Sequence, residues 1–360
     1  MAVDLGYSVL RTYDDVEIQH TFSKNTFEFV NRKLNGAKVI TGSKGFQFDV
    51  VLKDVGNGKW ILDYEPDDPN VANIVQEGTV NWANYQNSFS YSLLELNENA
   101  GKHKVFDLLS TRRKRTIVES AEDLEHAFWR TPLSSSDKRR PHGIFTWLAQ
   151  ADADTCTGAW EGYVGDYWSD TETAYSTVGG LSCTSTVNAR WANWYYDHNG
   201  NYDYSLLKKL SEAMMKTKFQ SPRLAGQSVE TGSEFNNFQL YTNTNVILAL
   251  EDLAIKADDN VGPDLGKYSG AVTFKNTPFI YVDDLDTAKQ YVYGSNPIIG
   301  INWNQINVRV LAGEDFRWGK PMNDVRQPNV WTAYFNITFC IYCPNRRHAG
   351  FLFSNWESTS

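Results

Sequence analysis

The stretch KVFDLLSTRRKRTIVESAEDLEHAFWRTP, residues 104 to 132, carries two signals that do not ordinarily share one segment. Val105, Leu109, Ile117, Ala121, Leu124 and Phe128 recur at intervals of three, four or eight, which keeps them on one face of a helix. Pro132 ends the run, because the residue before a proline is pushed out of the helical region. At about 1.5 Å of rise per residue, a helix over 104–130 is a rod of roughly 40 Å, long for a globular protein. In its middle stand four consecutive basic residues, Arg112, Arg113, Lys114 and Arg115. Four successive positions sweep about 300 degrees, so they cannot share a face, and Arg113 falls on the apolar stripe itself. Two accounts stay open. Either Arg113 snorkels its charge to water while its neighbours form a solvated flank, or the rod packs at its ends and meets a polyanion or an acidic partner at its middle.

The totals narrow the choice. The chain has 360 residues, enough for one large domain or two to three smaller ones. With 34 Lys and Arg against 43 Asp and Glu the net charge is -9, which argues against a dedicated nucleic-acid binder and makes any such contact local. No apolar run reaches membrane-spanning length, and the first 30 residues lack a basic start followed by an apolar stretch, which predicts a soluble protein made in the cytosol. Four cysteines are too few and too scattered for a disulfide framework. Cys340 and Cys343 form a CxxC, but inside the β-branched and aromatic run VWTAYFNITFCIYCPN a three-residue offset sends the thiols to opposite faces. Reduced structural thiols are therefore expected. Twelve Trp, nineteen Tyr and nineteen Phe sit in a chain of polar mean hydropathy, -0.46. Such aromatics suit extensive protein contact surfaces, and they also suit sugar-stacking sites.

Around the rod the elements are read from pattern. Ser23 can cap a short helix carrying Phe27, Val30 and Leu34, ended by Gly36, in a segment too poor in apolar surface to stand alone. GFQFDVVLKDVGNGKWIL, from Gly45 to Leu62, alternates as a strand with a turn at Asn57 and Gly58. After a polar excursion, VNWANYQNSFSYSLLEL reads as a second strand, and the two make a projecting hairpin of the kind that touches a neighbour. Residues 141 to 204 hold seven glycines and five Trp, which predicts irregular loops stapled by aromatic packing. YSLLKKLSEAMMKTK then reads as an amphipathic helix with Leu206, Leu207, Leu210, Ala213 and Met214 on one face. FQLYTNTNVILALEDLAIKA reads strand, Asn/Thr cap, helix; GAVTFKNTPFIYVDDL and NPIIGINWNQINVRVL read as further strands. The chain closes on a long strand running into a basic corner at Arg346 and Arg347.

Catalytic patterns are missing. GPDLGK at 262 to 267 is one residue short of a phosphate loop and lacks the hydroxyl after Lys267, and no HExxH, GxSxG or GxGxxG occurs. The six histidines are dispersed, no second cysteine pair completes a zinc set, and nothing local activates Cys156 or Cys183 as a nucleophile. The doublets Asp67/Asp68, Asp258/Asp259 and Asp283/Asp284 read as solvated turns. No catalytic, cofactor-binding or metal-binding residue is assigned, and the chain is not expected to be an enzyme.

An arm, a projecting hairpin, a long rod and an α/β module whose chain returns in a final strand form an order that resembles the major capsid proteins of tailed bacteriophages. The resemblance is carried by NPIIGINWNQINVRVLAGEDFRWGKPMNDVRQPNVWTAYFNITFCIYCPNRRHAGFLF and by TNTNVILALEDLAIKA followed by GAVTFKNTPFIYV. It implies an α+β chain with the Hong Kong 97-like capsid fold. Residues 1–41 would be an N-terminal arm reaching under a neighbour, and 42–95 an extended loop overlapping the next subunit, with Trp60 and Tyr64 as contact residues. Residues 96–222 would form the peripheral domain with its spine helix at 104–130, 223–324 the axial domain around five-fold and six-fold axes, and 325–360 the return to the peripheral sheet. The implied role is to assemble as pentamers and hexamers into an icosahedral head around double-stranded DNA. Arg112, Arg113, Lys114 and Arg115 would then face packaged DNA or acidic surfaces next door. The implied partners are further copies of the chain, a portal protein, a decoration protein and, since no long N-terminal scaffolding segment is present, a separate scaffolding protein. The implied location is the virion, assembled in the cytoplasm of a bacterial host.

A different class of function uses the same aromatics: a carbohydrate-binding or fibre-type module in which Trp160, Trp168, Trp191 and Trp194 stack on sugar rings. It needs exposed, coplanar rings on a rigid sheet. A compartment shell of the same architecture, with an enzyme as cargo instead of DNA, is a variant of the first class.

Overall fold

The rod forms: a 21-residue helix, Leu108–Phe128, occupies the expected stretch in the computed structural model of the chain. The structure describes residues 28–30, 34, 37–42, 44–52, 57–63, 74–98, 108–134, 137–150, 162–185, 188–217, 238–257, 272–275, 277–287, 290–324 and 327–355. Residues 104–107, the proposed Ser23 cap and GPDLGK lie outside them. Contacts divide the chain into two compact units, one of residues 1–42, 84–126 and 310–339, the other of 43–83, 127–309 and 340–360.

In the first unit the helix buries a more polar face than the spacing predicts. Leu124 is buried, but Ile117 is 43% exposed, while Thr116, Ser120 and Glu125 are buried. Thr116 Oγ1 donates to the Arg112 carbonyl at 3.0 Å and Ser120 Oγ to the Thr116 carbonyl at 2.7 Å. These one-turn back-bonds let hydroxyls sit on a packing face without losing their partners. Glu125 accepts the backbone N–H of Phe29 at 2.9 Å. Phe29 and Leu34 are both buried, and the Phe29 ring lies 6.0 Å from that of Phe339. The sheet of this unit is organised by the sixteen-residue strand Gln327–Tyr342, the long closing strand the sequence predicts. Along one path the order is Lys38–Ile40, Asn307–Leu311, Gln327–Tyr342, Arg317–Trp318, and both Ala83–Ser92 and Met322–Asp324 also pair with the long strand.

The hairpin differs from its expected form. Phe46–Val51 pairs with Val75–Val80, residues 57–63 carry no strand, and no turn at Asn57 and Gly58 joins two strands. Ala83–Ser92 pairs instead with the closing strand. The register explains the choice. Phe48 lies opposite Gly78, where a Cβ would run into the phenyl ring, so only a residue without a side chain admits Phe48 there. The ring continues into the second unit's core at 6.5 Å from Trp147, 6.4 Å from Trp191 and 5.5 Å from Tyr342. Phe48, Val50, Val80 and Ala83 are all buried, so the hairpin base reaches a core that the sequence did not give it.

The second unit is built on a seven-stranded mixed sheet in the order Thr273–Phe274, Thr277–Tyr281, Phe238–Thr242, Ser295–Asn302, Gly350–Asn355, Asn193–Asp197, Tyr163–Val164. Phe238–Thr242 passes through the helix Thr244–Ala257 and returns to a parallel neighbour, Thr277–Tyr281, which is the crossover expected of such a pair. The Asn243 side chain accepts the N–H of Val246 at 3.1 Å, the predicted cap. The amphipathic helix Tyr204–Lys216 starts on an Asp203 cap and lays Leu206, Leu210, Ala213 and Met214 into the core. Residues 141–204 are irregular as predicted: one four-residue helix, Ile144–Trp147, and strand pieces mostly of two residues, stapled by buried rings such as Trp147 and Trp191, 6.3 Å apart edge-on. Cys340 and Cys343 are free and buried, as expected of the CxxC, whereas Cys183 is disulfide-bonded, a bond that the sequence reading did not anticipate. Spacing along the chain carries no information on which thiols the fold brings within bonding reach.

Candidate functional site

The four basic residues do not act as a block. Arg112 turns inward: its guanidinium grips Glu95 in a two-pronged ion pair and donates to the Ser90 carbonyl at 3.0 Å. Arg113, Lys114 and Arg115 are exposed. The Arg113 guanidinium lies 5.0 Å above the Trp318 ring, so its stem runs over apolar surface while its charge stays wet. The quartet supplies one half-buried structural cation and three exposed charges at the middle of the rod.

Beside those charges the first unit carries an open apolar groove of about 320 Å³. Val30, Ile117, Ala121, Phe316, Trp318 and Phe335 are among its walls. One turn of helix separates Arg113 from Ile117, which places the basic rim against the apolar floor. Phe316 has φ of 44°, a left-handed backbone that is costly for a bulky side chain, and its ring stacks 5.9 Å from Phe335. Trp318 adds a ring 4.8 Å from the same phenylalanine. The groove was not read from sequence. Its only signal is an apolar Ile117 and a RWGK turn flanked by cations, a pattern that spacing alone assigns to a core.

Of the two hairpin residues singled out from sequence, Trp60 is fully exposed and Tyr64 lies outside the described residues. Trp60 stands in a run of exposed apolar side chains with Ile61 and Leu62, and Asp63 after them is exposed too. Three successive large apolar residues at the surface mark a contact site more often than chance exposure.

The basic corner at the end of the closing strand is no surface feature. Arg346 is 0% exposed. Its Nε donates to the Trp147 carbonyl at 2.8 Å, Nη2 to Asn193 Oδ1 at 3.0 Å, and Nη1 to the carbonyls of Gly165 and Trp191. Burial pulls its pKa down to about 10, which leaves it charged at neutral pH. Arg347 stacks 4.1 Å over Tyr163. A buried guanidinium thus ties the carbonyl ends of the Trp-rich loops together. The sugar-stacking arrangement is not formed: Trp191 and Trp194 are buried, Trp168 is half-buried, and Trp160 lies outside the described residues.

Among the described residues no group of three or more His, Cys, Asp or Glu is placed to hold a metal. Burial pushes the Cys340 and Cys343 thiols up to about 12, the direction of inert structural thiols. No helix among the described residues is long and apolar enough to cross a membrane.

No family model and no curated protein matches the sequence. Solved structures do match, over nearly the whole chain. The capsid subunit of cyanophage A-1(L) is similar at 11% identity and a TM-score of 0.64, covering 96% of this chain and 97% of that one. A capsid subunit of an empty GTA particle is similar at 13% identity and a TM-score of 0.59, covering 98% and 97%. The holo-SrpI encapsulin complex of Synechococcus elongatus PCC 7942 is similar at 11% identity and a TM-score of 0.55, covering 99% and 96%. At such identities the likeness is one of fold: the chain is α+β and has the capsid fold of tailed phages, the Hong Kong 97-like fold that the order of its elements resembles.

Proposed function

We propose that this chain is the major capsid protein of a tailed phage, assembling as pentamers and hexamers into an icosahedral head that encloses double-stranded DNA. The observation that carries the proposal is the reciprocal coverage: 97% of a cyanophage capsid subunit aligns with 96% of this chain, so the capsid fold leaves almost no chain over for another task. Exposed Trp60, Ile61 and Leu62 and the basic middle of the rod support it, since both are surfaces that a lone subunit leaves in water. Its partners in this role are further copies of itself, a separate scaffolding protein, a portal protein and a decoration protein, and its place is the virion, after assembly in the bacterial cytoplasm. Packaged DNA is held without sequence specificity, through local positive charge such as Lys114 in a chain that is acidic in sum.

A second reading within the shell class, an enzyme-loaded compartment, is favoured by the encapsulin likeness. Electron microscopy of the expressed full chain, with and without a scaffolding protein, tests both. Closed particles tens of nanometres across are expected, and a strictly monomeric species under every assembly condition would sink the shell proposal. Co-purifying protein cargo in place of nucleic acid would select the compartment.

A further inference from the structure

We infer that Cys183 is a redox lock: it is a thiol held by Asp166 while the chain is in a reducing cytoplasm, and it closes onto Cys156 when the chain meets a small-molecule disulfide outside. The timing rests on the shell proposal, which makes the chain a cytoplasmic product; the bond and its contacts do not.

Two facts about Cys183 stand side by side. It is disulfide-bonded, although the cytoplasm proposed for its synthesis keeps thiols reduced. Cys340 and Cys343 are free, which leaves Cys156 as the one cysteine of the sequence able to bond it within the chain. Its sulfur also lies 3.0 Å from Asp166 Oδ1, and both residues are buried. A bonded sulfur has no hydrogen to give, so this contact is matched to the thiol, whose S–H donates to the carboxylate. One position of the sulfur therefore serves both oxidation states, and the carboxylate weights the balance toward the reduced one.

The exchange balances with oxidised glutathione as the oxidant. Burial and the adjacent negative charge disfavour the Cys183 thiolate, so the first attack falls to its partner thiol. The Cys156 thiolate attacks one sulfur of the glutathione disulfide and releases one glutathione thiolate, which takes up the proton that Cys156 lost. Cys183 Sγ then attacks the mixed disulfide at the Cys156 sulfur, and its proton goes to the second departing glutathione. Two cysteines are oxidised, and one glutathione disulfide is reduced to two thiols.

The lock bears on the projecting hairpin. Cys183 follows the strand Leu181–Ser182, which pairs with Thr177–Val178 around Gly179 and Gly180, and its N–H donates to the Ser176 carbonyl at 3.0 Å. That turn buttresses the hairpin strand Val75–Val80: the Thr79 N–H donates to the Gly179 carbonyl at 2.8 Å, and a Cβ at Gly180 would crowd the Thr79 backbone. A covalent link at Cys183 removes conformations otherwise open to the buttress, so oxidation stiffens the base of the hairpin.

Redox mapping of the full-length chain tests the lock. Cells are quenched in acid and alkylated with iodoacetamide in urea, while purified protein is equilibrated in glutathione buffers of increasing oxidised fraction; peptide mass spectrometry reads both. Cys183 is expected to be alkylated in quenched cells and joined to Cys156 of the same chain at high oxidised fraction, with Cys340 and Cys343 still free. Exchange of the Thr79 amide with deuterium is expected to slow several-fold on oxidation. Asp166→Asn is expected to move the midpoint several-fold toward the disulfide, because an amide oxygen accepts more weakly than a carboxylate; should that variant fail to fold, the unmodified chain decides. A bond already complete in quenched cells, a Cys183 that stays reduced throughout, a bond between copies, or Thr79 exchange indifferent to oxidation overturns the lock, as does an unmoved midpoint in a folded Asp166→Asn. All are read on free subunits as well as on particles, so a failed lock leaves the shell proposal standing, and a chain that never forms particles removes that proposal and the timing while the bond stays measurable.

Discussion

Arg112 and Glu95 face each other in a two-pronged ion pair, with Nη2 to Oε1 at 2.5 Å and Nη1 to Oε2 at 2.9 Å, and the carboxylate is only 4% exposed. The pair joins the short helix Leu93–Glu98 to the rod, and it removes one cation from the four that the sequence presents together.

Arg112→Gln is expected to destabilise the unassembled subunit by about 1–3 kcal/mol, because it strands a buried carboxylate; the partial exposure of Arg112 keeps the loss below that of a fully buried pair. Lys114→Gln, one residue from the rim, is expected to stay within about 0.5 kcal/mol. Urea unfolding of the two variants side by side checks the contrast, and equal midpoints would return Arg112 to the solvated flank.

Arg346→Lys is expected to cost at least ~3 kcal/mol, since an ammonium cannot fork to the acceptors on Trp147, Gly165, Trp191 and Asn193 at once. Against a total stability of about 5–15 kcal/mol, most of the expressed chain should then be insoluble. Soluble yield and unfolding midpoint, compared with Arg347→Lys, provide the measurement.

His142 sets a pH dependence. Burial, opposed more weakly by the Asp137 carboxylate, holds its pKa at about 4, below the ordinary 6.5. The folded subunit therefore binds fewer protons than the unfolded chain between these values, so stability falls as pH drops from about 6.5 to about 4, by as much as ~3 kcal/mol. His142→Gln is expected to flatten that slope in thermal unfolding curves recorded across the range. A slope that survives the substitution would place the titrating group elsewhere, His198 being the next to examine because burial lowers its pKa too.

Cys340 and Cys343 are free, buried and pushed up to about 12 by desolvation. Both are expected to resist iodoacetamide at pH 8 in the native subunit and to react once it is unfolded in urea, with peptide mass spectrometry as the readout. Rapid native alkylation of either would show that the end of the closing strand opens.

Gly350 marks a backbone approach that admits no side chain. Its φ is 149°, and a Cβ there would run into the carbonyl of Gly300 on the paired strand Ser295–Asn302. Gly350→Ala is expected to split these two central strands and abolish soluble expression, whereas Gly313→Ala, with open space around it though at positive φ, should cost about 1–2 kcal/mol.

The sequence by itself determined the elements whose signals are local. Periodicity placed Leu108–Phe128 and Tyr204–Lys216, Asn243 announced the helix after Phe238–Thr242, and the β-branched run from Gln327 to Tyr342 announced the long strand, because helix and strand periods and capping bonds are made between near neighbours. The order of these elements was enough to suggest the capsid fold. Tertiary structure alone decided which strand pairs with Phe46–Val51, that Arg346 is buried, that Arg112 leaves its three neighbours for Glu95, and that Ile117 opens onto a groove. Each of these depends on residues far apart in the chain: Gly78 making room for Phe48, four acceptors converging on one guanidinium, Phe316 and Trp318 rising beside the rod. A linear pattern records what a side chain is, while desolvation and pairing depend on what the rest of the chain brings to it.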